Sequence, residues 1–335
     1  MNAAALHRTS IVMDMTCPLM NDPQRWSWWR EGGVTVAAPT VASDHNVAET
    51  MQRVSRWLGY LRDHADKLRP VTRVDDVLDA HSTGRLGIAF HFQNTLPLER
   101  DAGMVEVYAR LGLVFMQLAY NTKNHVGNGC EELSDDGLSR FGRSVVRAMN
   151  DHGIIIDGSH TGRRTLLDAI DISKRPVIVS HANARAVCDN ARNLDDEVIR
   201  AIADQGGIVG LVGFPTFVRR GRRAPTLDQL IDHVDHVCQL TGSADTSAIG
   251  IDYYDGMHGV ATRSAADARY RDALARGIWN EANYEPPPHR YPSGIEDPRG
   301  FPNLTARLLE RGYSESDVRN ILGENWMRVM RGHGR

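Results

Sequence analysis

Eight short apolar runs, rich in β-branched residues, recur along the chain between longer stretches with helical periodicity. The runs cover residues 11–16, 34–41, 86–93, 113–119, 153–159, 176–181, 207–213 and 247–252. Continuous apolar runs of this length are typical of strands buried on both faces, as in a parallel sheet. Most of the gaps have an amphipathic helical pattern, as in residues 136–151 and 193–204. Eight strands that alternate with helices predict an α/β fold of the (β/α)8 TIM barrel type.

An open, doubly wound sheet is the alternative fold, but the chain contains neither GxGxxG after an early strand nor GxxxxGK[ST]. We therefore predict a single barrel domain over residues 1–335. After the eighth run, residues 253–300 are rich in Gly, Pro and Tyr and predict a long loop over the barrel mouth. Two closing helices are expected near residues 304–310 and 314–330.

Composition excludes several classes of protein. The 335 residues carry a formal net charge of −3, which argues against nucleic acid as the main partner. The chain contains no stretch of 18 uninterrupted apolar residues, so no membrane span is predicted. The first residues do not resemble a secretory signal. The four cysteines are scattered without a CxxC pair, as in a reduced cytoplasmic protein.

Polar side chains stand at the carboxyl ends of the predicted strands, where barrel active sites are found. The fifth and sixth strands both finish in Ser-His, at His160 and His181. Two histidines that end adjacent strands would converge closely enough to hold one divalent ion such as zinc. Asp252, after the eighth strand, faces them and is a candidate proton acceptor for water acidified by the metal. His91 and Gln93 share one face of the third strand. Either side chain could enter the barrel mouth, or His91 could lie in the barrel interior.

Four stretches resemble the membrane (renal) dipeptidase family of metallopeptidases, which has an amidohydrolase-like barrel. They are residues 135–160, 175–194, 250–256 and 321–329, the last with the sequence ILGENWMRV. The resemblance implies that His160 and His181 bind the second metal of that family, and that Asp252 handles the proton during turnover. It also implies that Arg192 meets the substrate near its carboxylate or the developing oxyanion.

The chain departs from the family pattern at the first metal. The usual Asp-Gly-His-x-Asp strand is replaced by a run from Asp14 to Pro18, so that Thr16 and Pro18 stand where both ligands are expected. The bridging glutamate is also replaced, by Gln93 or, with a two-residue shift, by His91. Tyr120 stands where the family has a histidine that contacts the substrate. The usual two-metal site therefore cannot be complete.

Three arrangements remain open. The first is a one-metal hydrolase that uses His160, His181, water and either His91 or Gln93. The second takes a replacement ligand from elsewhere, for which the candidates are Asp14, Cys17, Asp22 and His258. The third is a pocket that binds a small molecule without metal or hydrolysis.

We favour the one-metal enzyme, a homodimer that cleaves a dipeptide or related small amide. In it Arg192 and Tyr120 orient the substrate or stabilise the oxyanion. A divergent barrel enzyme that acts on another small C–N compound is the alternative.

Overall fold

The computed structural model describes residues 2–335 and contains ten short strands, all paired in parallel. They are β1 (Met13–Asp14), β2 (Val36–Ala37), β3 (Thr40–Ala42), β4 (Leu68–Pro70), β5 (Leu86–Ile88), β6 (Phe90–Phe92), β7 (Leu113–Gln117), β8 (Ile155–Asp157), β9 (Val209–Leu211) and β10 (Ser247–Ile249). They form three sheets with the orders β1-β2-β5-β4, β3-β6-β7-β8 and β10-β9.

Single bridges join the sheets into a ring. Residues 178 and 179 pair with β8 and β9 respectively, and the Met15 backbone N–H donates to the carbonyl of Ile249. The predicted sixth strand therefore occupies its place in the ring through two bridges. The second and third predicted strands are each divided in two, with breaks at residues 38–39 and 89. Proline at position 39 explains the first break, because proline cannot donate to a strand ladder.

The ring confirms the predicted (β/α)8 barrel, and its strands alternate between two apolar layers. Ile155 belongs to an inner cluster with Phe115 and Ile178, whereas its neighbours Ile154 and Ile156 belong to the cluster that also includes the helices. Trp326, from the C-terminal helices, packs against Phe115 in the inner cluster. This alternation is the two-residue period of strands that are buried on both faces.

Helices surround the ring and connect its strands. They are α1 (Ala3–Thr9), α2 (Trp26–Glu31), α3 (Val47–Asp63), α4 (Val74–Thr83), α5 (Met104–Arg110), α6 (Arg140–Asp151), α7 (Arg163–Ile172), α8 (Asp196–Asp204), α9 (Pro215–Val218), α10 (Leu227–Thr241), α11 (Arg263–Ala275), α12 (Phe301–Glu310), α13 (Glu315–Arg319) and α14 (Asn325–Gly332). Within residues 2–335, none of these helices has the length and apolar character needed to cross a membrane.

The segment after β10 is more ordered than the sequence predicts. Residues 253–300 were expected to form a long loop, but they contain the 13-residue helix α11. The hydroxyl of Thr262 caps its first turn by accepting the N–H of Ala265. The rest of the segment returns across the barrel mouth, where Trp279 and Tyr284 stack with centroids 4.4 Å apart.

Candidate metal and active site

Three of the predicted site residues lie at the carboxyl end of the barrel, and two of these have strained backbones. His160 follows β8, His181 follows the bridged residues 178 and 179, and Asp252 follows β10. The φ angle is +60° at His160 and +64° at Asp252, a region that non-glycine residues rarely adopt. Such conformations persist only when the surrounding structure enforces them, and they concentrate at functional sites.

His160 and His181 face each other through their Nε2 atoms, which are 2.9 Å apart. Both side chains are buried, and burial is the main reason why the pKa of each lies well below the usual histidine value. The nearby Arg192 guanidinium lowers both pKa values further by repulsion. Both imidazoles are therefore neutral at pH 7.

Asn121 determines which nitrogen of His160 carries the proton. The Asn121 amide nitrogen donates to the carbonyl of Ile278 at 2.7 Å and to the hydroxyl of Tyr284 at 2.8 Å. A carbonyl can only accept, so this bond fixes the amide orientation and turns the Asn121 oxygen toward His160 Nδ1 at 2.6 Å. His160 Nδ1 must then carry the hydrogen, which leaves a lone pair on Nε2.

Two hydroxyls determine in a similar way that Nδ1 of His181 carries the proton. Ser180 Oγ lies 2.8 Å and Thr16 Oγ1 3.3 Å from His181 Nδ1. Their own protons are directed elsewhere, because Ser180 donates to the carboxylate of Asp157 at 2.5 Å and Thr16 to the carbonyl of Met15 at 2.7 Å. His181 Nδ1 therefore donates, and its Nε2 also presents a lone pair.

Two lone pairs that meet at 2.9 Å repel each other unless a cation lies with them. Neutral imidazoles whose far nitrogens donate to fixed acceptors are the usual form of metal-binding histidines. Two nitrogen ligands of a tetrahedral zinc, each about 2.0–2.1 Å from the ion, are separated by roughly 3.3 Å. A small outward movement of the two rings from 2.9 Å would reach this separation. The pair therefore fits one divalent metal ion. Within residues 2–335, no group of three or more His, Cys, Asp or Glu side chains is arranged to hold a metal.

The residues at the expected first-metal position do not fit a second ion. Thr16 uses its hydroxyl to support His181 and to bond the Met15 carbonyl, and Pro18 has no donor atom in its side chain. Asp14 accepts hydrogen bonds from Trp29 Nε1 and from the backbone of Ile251, each at 2.9 Å. Its carboxylate is thus committed to holding the loop after β1 against the end of β10.

The structure does not bring His91 together with the histidine pair as a third ligand. The His91 ring stacks on Phe115 at 4.6 Å, and its Nε2 lies 3.4 Å from the hydroxyl of Thr40. His91 is thus an inner barrel residue, the second of the two placements that the sequence left open. Gln93 lies closer to the candidate chemistry, because its side chain is near enough to the carboxyl of Asp252 to lower the pKa of that group.

Asp252 is a carboxyl group whose proton affinity suits acid–base work near neutral pH. Burial raises its pKa to about 7, and the negative charge of Asp14 adds to this shift. The positive charge of Arg192 and the side chain of Gln93 oppose the shift without cancelling it. A general acid or base is most effective when its pKa lies near the working pH.

Arg192 is a buried cation without an anionic partner. Its side chain is 2% exposed, its Nη2 donates to the carbonyl of His181 at 3.0 Å, and its Nε has no hydrogen-bond partner. Among the described residues, no carboxylate lies within ion-pair distance of the Arg192 guanidinium, which instead lies over the ring of Phe217 at 5.0 Å from its centroid. An unpaired buried guanidinium is costly and suits the binding of an anionic ligand group.

Tyr120 forms part of an aromatic wall beside the histidines. Its ring stacks on His160 at 4.1 Å, and its hydroxyl accepts a long hydrogen bond of 3.4 Å from Trp279 Nε1. Burial raises the pKa of Tyr120 above its usual value, so the hydroxyl stays protonated. A cleft of about 230 Å³ reaches His160, Arg192 and Cys130 from between the loops that follow residues 158 and 185.

Sequence reasoning missed two residues that organise this site, Asn121 and Asp157. Asp157 is the last residue of β8, Asn121 follows the end of β7 by four residues, and both are fully buried. The signal available for Asn121 was its position directly after Tyr120, at the end of the fourth predicted strand. Its φ of +56° is a conformation that asparagine tolerates better than most residues.

A closed parallel barrel with a neutral histidine pair and a titratable carboxyl at its strand ends defines a protein of the amidohydrolase-like class. The profile of the membrane dipeptidase family (peptidase family M19) matches residues 22–283 and 288–333. The chain belongs to this family.

Three relatives illustrate the match. The crystal structure of an amidohydrolase from Pseudomonas aeruginosa is 34% identical, with 100% of each chain covered and a TM-score of 0.88. The probable dipeptidase PvdM from the same organism shares the fold at 20% identity and a TM-score of 0.81, over 99% of this chain and 97% of its own. Dipeptidase tcpJ of Claviceps purpurea is 28% identical over 85% of this chain and 60% of its own length. The chain thus spans about 60% of that relative.

Proposed function

We propose that the chain is a metal-dependent hydrolase that cleaves a dipeptide or a related small amide, with one divalent ion held by His160 and His181. The observation that carries this proposal is the pair of neutral imidazoles whose lone pairs converge at 2.9 Å. Membership of the membrane dipeptidase family supports the substrate class. A divalent ion bound there would polarise the scissile carbonyl and lower the pKa of water to near 7.

The remaining roles fall to side chains of the barrel mouth. Asp252, with its pKa near 7, accepts the proton of the attacking water and returns it to the leaving amine. Arg192 binds the free carboxylate of the substrate, since its guanidinium has no carboxylate partner of its own. Tyr120 is protonated and half-buried beside His160, where its hydroxyl orients the substrate or donates to the developing oxyanion.

Metal content tests the core of this proposal. We expect about one zinc, manganese or cobalt ion per chain, and turnover of at least some dipeptides that a chelator abolishes and added metal restores. Absence of bound metal, together with no activity after addition of any of the three ions, would defeat the proposal. Turnover of N-acyl amino acids or lactams without dipeptide cleavage would favour the alternative enzyme, which the replaced first-metal residues Thr16 and Pro18 motivate.

An Arg192→Met variant is expected to raise KM for dipeptides about 10- to 100-fold with a smaller change in kcat. The reason is that a hydrogen bond to a charged group contributes about 1.5–3 kcal/mol, and each 1.4 kcal/mol is about tenfold in affinity. Steady-state kinetics with a dipeptide and its C-terminal amide measures this, because the variant should no longer prefer the free carboxylate. Arg110→Met is the control, as Arg110 is exposed and pairs with Glu106. An unchanged preference in Arg192→Met would contradict the assigned role.

Zinc as the resident ion, a homodimer and a cytoplasmic location complete the proposal. Histidine nitrogens with oxygen ligands suit zinc. All four cysteines are free thiols, as is usual in a reducing compartment. Elemental analysis and light scattering of the purified protein test the metal and the dimer.

A further inference from the structure

The residues that cross the barrel mouth between 278 and 284, the roof segment, contact three elements of the candidate site. Ile278 and Tyr284 accept hydrogen bonds from Asn121, and Trp279 donates to Tyr120. On the other side, the side-chain oxygen of Asn283 accepts the backbone N–H of Ala191, the neighbour of Arg192. The roof segment is therefore bonded to Tyr120 and to the immediate neighbours of Tyr120 and Arg192, two residues that the proposed chemistry uses.

Asn121 connects the roof segment to His160 through hydrogen bonds. Its amide nitrogen is fully used by Ile278 and Tyr284, and its oxygen accepts the proton of His160 Nδ1 at 2.6 Å. If the roof segment moved away, the amide would lose the bonds that fix its orientation. Its oxygen would no longer be held toward His160, and the direction of the Nε2 lone pair would no longer be fixed.

We propose that Asn121 is a positioning residue that couples the seating of the roof segment to the metal-binding orientation of His160. The coupling rests on the proposed function, since it requires that His160 and His181 hold a metal. Binding linkage is reciprocal: a roof that favours metal binding must itself be stabilised by the metal, to the same extent. Metal addition should therefore order residues 278–284, and this ordering should depend on the side chain of Asn121.

Two substitutions of Asn121 separate its two contacts. Asn121→Gly removes both and suits the positive φ of this position, so the backbone need not change. Asn121→Asp keeps an acceptor for His160 Nδ1 but cannot donate to the Ile278 carbonyl. Asn124→Ala is the matched control, because Asn124 supports the same loop through Asn94, Thr95 and Leu118 and bonds neither the roof segment nor a histidine.

The experiment measures Zn²⁺ affinity by chelator competition, and amide hydrogen exchange of residues 278–284 with and without Zn²⁺. In the unaltered protein, zinc should slow exchange in the roof segment. Asn121→Gly should weaken zinc binding about 10- to 100-fold, the usual effect of losing a partner of a metal-binding histidine, and should abolish the zinc-dependent protection. Asn121→Asp should bind zinc within a few-fold of the unaltered protein, yet exchange faster in the roof segment. Asn124→Ala should behave as the unaltered protein.

Zinc binding that leaves exchange of residues 278–284 unchanged in the unaltered protein would overturn the coupling while leaving the proposed function intact. Zinc affinity in Asn121→Gly equal to that of the unaltered protein would overturn it as well. A protein that binds none of zinc, manganese and cobalt would overturn both proposals. If Asn121→Gly does not fold, Tyr284→Phe removes one of the two roof contacts of Asn121 and should reduce, without abolishing, the zinc-dependent protection.

Discussion

A His181→Ala variant is expected to lose its bound metal and to fall at least about 1,000-fold in kcat/KM. His181 supplies one of the two neutral nitrogens that converge at 2.9 Å, and its Nδ1 is held by Ser180 and Thr16. Charge stabilisation by a catalytic metal amounts to several kcal/mol, and each 1.36 kcal/mol is tenfold in rate. Metal content by mass spectrometry and dipeptide kinetics on the same preparation measure both effects.

His125→Ala is the control for this substitution, because His125 is exposed and lies outside the site. It should retain the metal content and kcat/KM of the unaltered protein. Circular dichroism and the melting temperature show whether His181→Ala is folded. If the folded variant keeps both its metal and its activity, the histidine pair is not the metal site and the proposed function fails at its central observation.

The parts of the fold that the sequence predicts are those that depend on local pattern. Apolar runs located the barrel strands, because a strand buried on both faces must be apolar throughout. Leu68–Pro70 was not predicted as a strand, since it is a three-residue edge strand whose last two residues are not buried. Residues 176–181 match the strand pattern but make only two bridges. The number of bridges depends on partners that are distant in sequence, which the local pattern cannot specify.

The same distinction applies to the site. His160, His181 and Asp252 were predictable because strand ends of a barrel converge, so their positions in sequence imply their neighbours in space. Asn121 was not predictable, because its role depends on Ile278 and Tyr284, which lie more than 150 residues away along the chain. The path of residues 253–300 across the mouth is determined by such long-range contacts rather than by local propensity.

The His91 prediction shows the limit of side-chain alternation. Alternation correctly places His91 on a buried face of its strand, but the face points into the barrel interior, where the ring packs on Phe115. Burial there lowers the pKa of His91 to about 3, so the imidazole is neutral. The Nδ1 atom of His91 also has no hydrogen-bond partner. A neutral buried ring with a free nitrogen satisfies the chemical requirement for a ligand, yet the geometry does not bring it to the histidine pair.

An Asp252→Asn variant is expected to lose about 10²- to 10⁴-fold in kcat, the usual contribution of a general acid or base. The activity of the unaltered protein should also depend on pH through the carboxyl of Asp252. Because burial raises the pKa of Asp252 to about 7, the carboxylate form predominates only above that pH. Activity that requires the carboxylate should therefore fall about tenfold per pH unit well below 7 and level off above it. The residual activity of Asp252→Asn should lack this limb.

A Gln93→Leu variant tests the proton-transfer role of Asp252 without removing the carboxyl itself. The Gln93 side chain lowers the pKa of the Asp252 carboxyl, so that removing its amide should raise the pKa and move the acidic limb of kcat/KM to higher pH. The assignment fails if the acidic limb of the pH profile does not move in Gln93→Leu or persists in Asp252→Asn. Either result would mean that a group other than Asp252 titrates and transfers the proton.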